Sequence, residues 1–153
     1  YIAHPRYTIS LNRYMGYLSA LCLAGRLSDE GLVAFSGSWD LETPGYEEMG
    51  RLLDGPEPPD AVFCFTDLIA RGAYRAVCER NLVPGRDVGI VGYDDSLVCR
   101  SLEIPLTSVK THSFEMGRKA AQLLFDGTLE TAPGCNTSII LPPDLVVRES
   151  STR

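Results

Sequence analysis

The chain has 153 residues, 44% of them apolar and 22% charged, with 20 acidic against 14 basic side chains for a net charge of −6. That length buries a core as one domain and the composition is that of a soluble globular protein. An acidic balance with no Lys/Arg cluster and no helix-turn-helix pattern argues against nucleic-acid binding by this chain, because neutralising phosphates requires basic side chains. No run is long enough to span a membrane and no signal peptide is recognisable. The chain opens on Tyr1-Ile2-Ala3, a strand-like tail running into Pro5, as expected of a fragment of something longer. Its five cysteines, Cys22, Cys64, Cys78, Cys99 and Cys135, are scattered, odd in number and without a C-x-x-C pair. They fit a reducing cytoplasm better than a disulfide framework, and their spacing suits no metal site.

In chain order, Leu11, Tyr14, Met15, Leu18 and Leu21 fall at helical spacing over about Ser10–Ala24, with Gly25 as a stop. Leu32-Val33-Ala34-Phe35 reads as a short strand. Thr43 and Pro44 read as cap and first turn of a helix carrying Tyr46, Met49, Leu52 and Leu53 inward, ended by Gly55 and the proline-rich turn to Pro59. Ala61-Val62-Phe63-Cys64-Phe65 reads as a parallel strand buried on both faces. Thr66-Asp67 then opens a helix with Ile69, Gly72, Ala73, Ala76 and Val77 on one face, and Val88–Val91 is the next strand. This strand–helix–strand unit implies a parallel pair with a right-handed crossover. A short helix after Asp95, a strand at Ser108–Lys110 and a helix through Phe114, Gly117, Ala121 and Leu124 follow. Two last strands are expected at Ile139–Leu141 and Leu145–Val147. Alternating strands and helices predict an α/β, doubly wound parallel sheet.

In such a sheet ligands sit at the C-terminal ends of the strands. Two polar pairs fall there. Thr66-Asp67 either only caps its helix, or one side chain caps while the other faces a ligand. Asp94-Asp95, after Gly89-Ile90-Val91-Gly92-Tyr93, either closes a turn or supplies a carboxylate that accepts from ligand hydroxyls or an amine. Arg13 offers a planar guanidinium to adjacent oxygens. Trp39, the single tryptophan, sits in a loop and offers a flat apolar wall. No nucleophile elbow, phosphate loop or dinucleotide fingerprint occurs, and neither His4 nor His112 falls in a triad pattern, so no enzymatic chemistry, cofactor or metal is expected.

Taken together in order and spacing, several motifs resemble the effector-binding domain of the lactose-repressor/galactose-repressor family of bacterial transcription regulators. They are Arg13-x-x-Gly16-Tyr17, Gly45-Tyr46-x-x-Met49, Pro59-Asp60-Ala61-Val62-Phe63-Cys64-Phe65-Thr66-Asp67, Gly72-Ala73, Gly89–Asp95, Pro105-Leu106-Thr107-Ser108-Val109, Gly117-x-x-Ala120-Ala121 and Leu145–Ser150. The resemblance implies a periplasmic-binding-protein-like lobe within a two-lobed sensor. About 1–111 and 145–153 would form the C-terminal lobe and about 112–141 a segment of the N-terminal lobe, with the DNA-binding headpiece absent. It implies Arg13, Trp39, Thr66, Asp94 and Thr111 as effector contacts. Thr66 stands where many members place an asparagine, which implies a different ligand or an intervening water. It also implies a homodimer formed through the helix at Leu68–Val77 and the segment Leu97–Leu102, with Ile69, Ala73, Val77, Val98 and Leu102 at the interface. A small-molecule sensor whose lobes close on a sugar or related polar metabolite follows, reaching DNA only through the headpiece. A periplasmic sugar-binding protein of a transport system is the alternative.

Overall fold

Among the described residues (1–3, 8–35, 40–125 and 138–152) of the computed structural model, strands and helices alternate. Strand β1 is Ile2–Ala3, helix α1 Thr8–Leu23, β2 Ala34–Phe35, α2 Glu42–Leu53, β3 Ala61–Phe63, α3 Asp67–Glu79, β4 Gly89–Asp94, α4 Val98–Ser101, β5 Thr107–Lys110, α5 Ser113–Phe125 and β6 Asp144–Val146. Single 3-10 turns follow at Glu30–Leu32 and Glu149–Ser151. β1 pairs with β2, and β3, β4, β5 and β6 form a second ladder in that order. A bridge from Ile2 to Cys64 makes the two continuous.

All pairings are parallel except the last, where β6 runs antiparallel to β5 with Ser108 opposite Val146. The expected parallel sheet therefore ends on an antiparallel edge. A strand parallel to its neighbour needs a crossover returning the chain to the same end of the sheet. Here the chain leaves β5 at Lys110 and re-enters at the same end, at Asp144 opposite it. Ile139–Leu141 is not a strand, β3 is shorter than expected, and Leu32-Val33 gives way to the 3-10 turn. Thr43 does not cap α2. The helix starts two residues earlier, at Glu42 after Leu41, and the Asp40 carboxylate takes the Glu42 N–H at 3.1 Å and the Thr43 hydroxyl.

One sheet face carries Ile2, Val62, Cys64 and Ile90, all buried, and is built with Met49, Leu52, Ile69, Ala73 and Val77 into one core. Helices α2 and α3 approach backbone to backbone. A Cβ on Gly45 would collide with the carbonyl of Ile69, and one on Gly72 with the carbonyl of Glu42. The other face is covered less completely. Its contact with α1 is aromatic, with Tyr1 stacked on Tyr14 and Tyr17 at 5.5 and 5.7 Å between ring centroids. The periodic apolar stripe read from α1 is thus only partly inward, since Leu11 and Met15 are exposed. No residue of α5 is buried, and Phe114, Met116, Leu124 and Phe125 are exposed. No helix among the described residues is long and apolar enough to cross a membrane.

This arrangement corrects part of the expected dimer surface. Ile69, Ala73 and Val77 are at most 1% exposed. Their spacing of four residues aligns them on the stripe of α3 that faces its own sheet. They have no surface left for a partner. Val98 and Leu102 are half-buried, and the exposed apolar side chains nearby in sequence are Leu68 and Leu97.

Candidate functional site

The C-terminal ends of β3 and β4 gather the polar residues that sequence reasoning singled out. Thr66 has the extended backbone of an N-cap, and its Oγ1 accepts the Ile69 N–H at 3.3 Å. Its neighbour Asp67 does not face open solvent. At 1% exposure it turns inward, where Oδ1 accepts from the Ser108 hydroxyl at 2.6 Å and Oδ2 from the Ser96 N–H at 2.7 Å. Of the two readings of the pair, Thr66 takes the capping role and Asp67 a buried one.

Asp94 and Asp95 divide in the same way. Both have positive φ, 108° and 51°, in a region that L residues rarely adopt. The Asp95 side chain is 5% exposed and bonds Arg148 at 2.6 Å, with Arg100 at 3.9 Å. Arg148 also donates to the carbonyl of Leu106 at 2.6 Å, so this aspartate anchors the tail to the sheet. The Asp94 side chain is 46% exposed and lies 4.0 Å from the Arg13 guanidinium. Burial pushes its carboxyl above the ordinary aspartate range. Arg13 pulls the other way, and the charge of Asp67 adds a smaller upward push.

Arg13 is reached from α1. Its guanidinium carbon lies 3.5 Å from the centre of the Tyr93 ring and 4.5 Å from that of Phe65, and it donates to the Phe65 carbonyl. A guanidinium held between aromatic faces is fixed in orientation as well as attracted. Its buried Nε has no hydrogen-bond partner among the described residues. Two hollows meet at this pair. One of about 460 Å³ is lined by Leu41, Thr66, Asp67, Leu68, Asp94, Ser96, Leu97 and Val98. The other, about 660 Å³, runs between α1 and the sheet past Ile9, Arg13, Tyr17, Phe63, Val91 and Tyr93. The first holds the polar groups able to recognise a hydroxylated or amine-bearing molecule, and it is the candidate site.

The structure therefore brings Arg13, Thr66 and Asp94 together. Thr111 is half-buried just beyond β5, while its neighbours Lys110 and His112 line a smaller hollow of about 250 Å³ with Asp94 and Asp95. Trp39 lies outside the described residues, as does Cys135. The other four cysteines are free thiols, with Cys64 and Cys99 buried and both held up to about 12 by burial. Sequence reasoning missed Ser108 and Arg148. Each meets its aspartate across 41 and 53 residues, and no local pattern announces such contacts.

Comparison with known proteins places the fold in a family. Residues 2–151 match the family described as periplasmic binding protein-like domain. The transcriptional regulator CelR of Thermobifida fusca is 38% identical over 151 residues, covering 97% of this chain and 43% of the regulator. The transcriptional repressor PurR of Haemophilus influenzae (strain PittEE) is 33% identical over 150 residues, covering 94% of this chain and 43% of the repressor. The chain thus spans less than half the length of these curated relatives. Among solved structures, a CelR–cellobiose complex superposes with a TM-score of 0.84 at 38% identity, covering 97% of this chain and 45% of the other. The lac repressor dimer bound to operator and the anti-inducer ONPF superposes with a TM-score of 0.83 at 25% identity, covering 99% and 44%.

Proposed function

The chain belongs to the periplasmic binding protein-like domain family, as the effector-binding domain of lactose-repressor-type regulators, and on that premise we propose that it binds a small polar metabolite, a sugar first among the candidates, for a regulator of transcription. The observation that carries this reading is the pairing of a half-exposed Asp94 carboxylate with an aromatic-held Arg13 at the C-terminal edge of a largely parallel sheet. Asp94 accepts from ligand hydroxyls or an amine, and Arg13 donates to adjacent ligand oxygens. Leucines 41, 68 and 97 supply an apolar wall beside them. Thr66 keeps its hydroxyl proton available while its oxygen caps α3, so it reaches the ligand directly or through water. Trp39 and Thr111 complete the contacts.

The rest of the switch follows from the same reading. Residues from about 112 to 141 belong to a second lobe, supported by the absence of any buried residue in α5. Closure of the lobes over the effector changes how a homodimer presents operator-binding segments of the full-length protein, and the net charge of −6 on this chain fits that division of labour. The homodimer forms through Val98 and Leu102 with the exposed Leu68 and Leu97. The protein works in the cytoplasm, and the ligand leaves chemically unchanged. The relatives named above are transcriptional regulators, which favours that role over one in transport.

The test is a thermal-shift screen of the full-length protein against cellobiose, other sugars, nucleosides and purine bases. One class should raise the melting temperature by mass action, and the rise should vanish with Asp94→Ala. A hit that survives both Asp94→Ala and Arg13→Ala would remove these residues from the site.

A further inference from the structure

Asp94 ends β4 at a φ of 108°. An aspartate does not stay there unless its surroundings over-determine it. The two amides that follow are held from the same buried group. The Asp95 N–H donates to Ser108 Oγ at 3.0 Å, the Ser108 hydroxyl donates to Asp67 Oδ1 at 2.6 Å, and the Ser96 N–H donates to Asp67 Oδ2 at 2.7 Å. Ser108 is fully buried and Asp67 nearly so. Gly92, two residues before Asp94, makes the approach possible, because a Cβ there would collide with the Asp67 carboxylate. The Asp95 side chain is meanwhile pinned by Arg148.

We propose that Asp67 is a positioning residue for effector recognition. Directly and through Ser108, it clamps the amides of Asp95 and Ser96 and so holds Asp94 in its left-handed turn with the carboxylate beside Arg13. The proposal rests on Asp94 being the effector contact. Asp67 borders the hollow at only 1% exposure, and both its carboxylate oxygens are already engaged by Ser108 and Ser96, so it acts on the effector through Asp94. A carboxylate suits the task because it only accepts, and the groups aimed at it, the Ser108 hydroxyl, the Ser96 N–H and the Cys99 thiol, are donors. An asparagine would meet one of those donors with its own N–H.

The clamp is tested first without ligand, in the full-length protein. Asp67→Asn, and Ser108→Ala should the first variant fold poorly, should speed amide hydrogen exchange at Asp95 and Ser96. A crystal structure of either variant should show Asp94 relaxed to negative φ. Unchanged exchange and an unchanged φ would overturn the proposal. The second arm uses cellobiose as probe. Asp67→Asn should weaken binding about tenfold in the otherwise native protein, yet by less than about twofold once Asp94 is alanine, since a residue acting through another has nothing left to act on. A tenfold loss that persists in the Asp94→Ala background would overturn it, as damage to the fold alone would produce that result. A native protein that ignores cellobiose speaks against that sugar as effector, and the exchange and crystallographic results then decide on the clamp.

Discussion

Replacing Asp94 by glycine and by alanine separates the two properties that the turn combines. Both substitutions delete the carboxylate, so both should weaken effector binding by about 1.5–3 kcal/mol, the worth of a hydrogen bond to a charged group, or roughly 10- to 150-fold. They differ only in backbone preference. In ordinary strand or helix, alanine is the more stable of the two by roughly 0.5–1 kcal/mol, because glycine loses more freedom on folding. At a φ of 108° the order reverses. A residue with a Cβ held in a sparsely populated region costs about 1–3 kcal/mol, and glycine escapes that cost. The net expectation is a glycine variant more stable than the alanine variant by about 1 kcal/mol, which for a domain of this size shifts the melting temperature by about 2–4 °C. Urea unfolding of the full-length proteins, compared at equal slope, measures the difference. An alanine variant as stable as the glycine one would mean that the turn is not held at positive φ, and the argument for a clamp beneath Asp94 would fall with it.

Three further outcomes follow. Gly72→Ala, which would stabilise an isolated helix, should instead destabilise the protein by about 1–3 kcal/mol in thermal unfolding, because the added methyl meets the Glu42 carbonyl across the α2–α3 contact. Burial holds the Asp94 carboxyl above its ordinary range, so its ionisation opposes folding: the stability it contributes is full below the unfolded value and is lost as pH rises through the folded one. Effector binding, which needs the ionised acceptor, should correspondingly weaken on acidification at a pH above the ordinary aspartate range, and a titration by calorimetry should lose that dependence in Asp94→Asn. Leu97→Glu should shift the full-length protein from dimer toward monomer in sedimentation equilibrium, since it places a charge on an exposed leucine of the proposed interface.

What could be read from the sequence depended on how local the cause was. The β3–α3–β4 unit was legible because an unbroken apolar run, a Thr-Asp cap and a helix-spaced stripe each occupy neighbouring residues, and Thr66 caps as read. The direction of β6 was not, because an apolar triplet looks the same in either orientation and only its pairing with β5 decides. The α3 stripe was read correctly as apolar but assigned to the wrong neighbour. Ile69, Ala73 and Val77 carry no mark distinguishing a core face from a dimer face, and burial of all three settles it. The Asp94-Asp95 doublet shows the limit most clearly. Two identical residues in one turn have opposite fates, one beside Arg13 and one beside Arg148, and the deciding partner lies 53 residues away from Asp95. Asp67 was placed at the correct strand end, but its inward turn depends on Ser108 and on the space left by Gly92.

The rigidity of this edge also limits what Asp94 and Arg13 can do in a switch. A ligand shifts a two-state equilibrium only through contacts that differ between the states. Asp94 is set by its turn and Arg13 by two aromatic rings, so this chain's own residues fix both. If the effector meets them identically in open and closed forms, they add to affinity in both forms equally and contribute nothing to the preference for one. Contacts made only on closure must then come from the second lobe. In an operator-binding assay with full-length protein, Arg13→Ala should therefore move the effector midpoint to higher concentration by roughly 10-fold or more while leaving the response at saturating effector unchanged. A reduced plateau at saturation would mean that Arg13 grips the ligand more tightly in one form than in the other, and that the guanidinium between Tyr93 and Phe65 is a moving part of the switch.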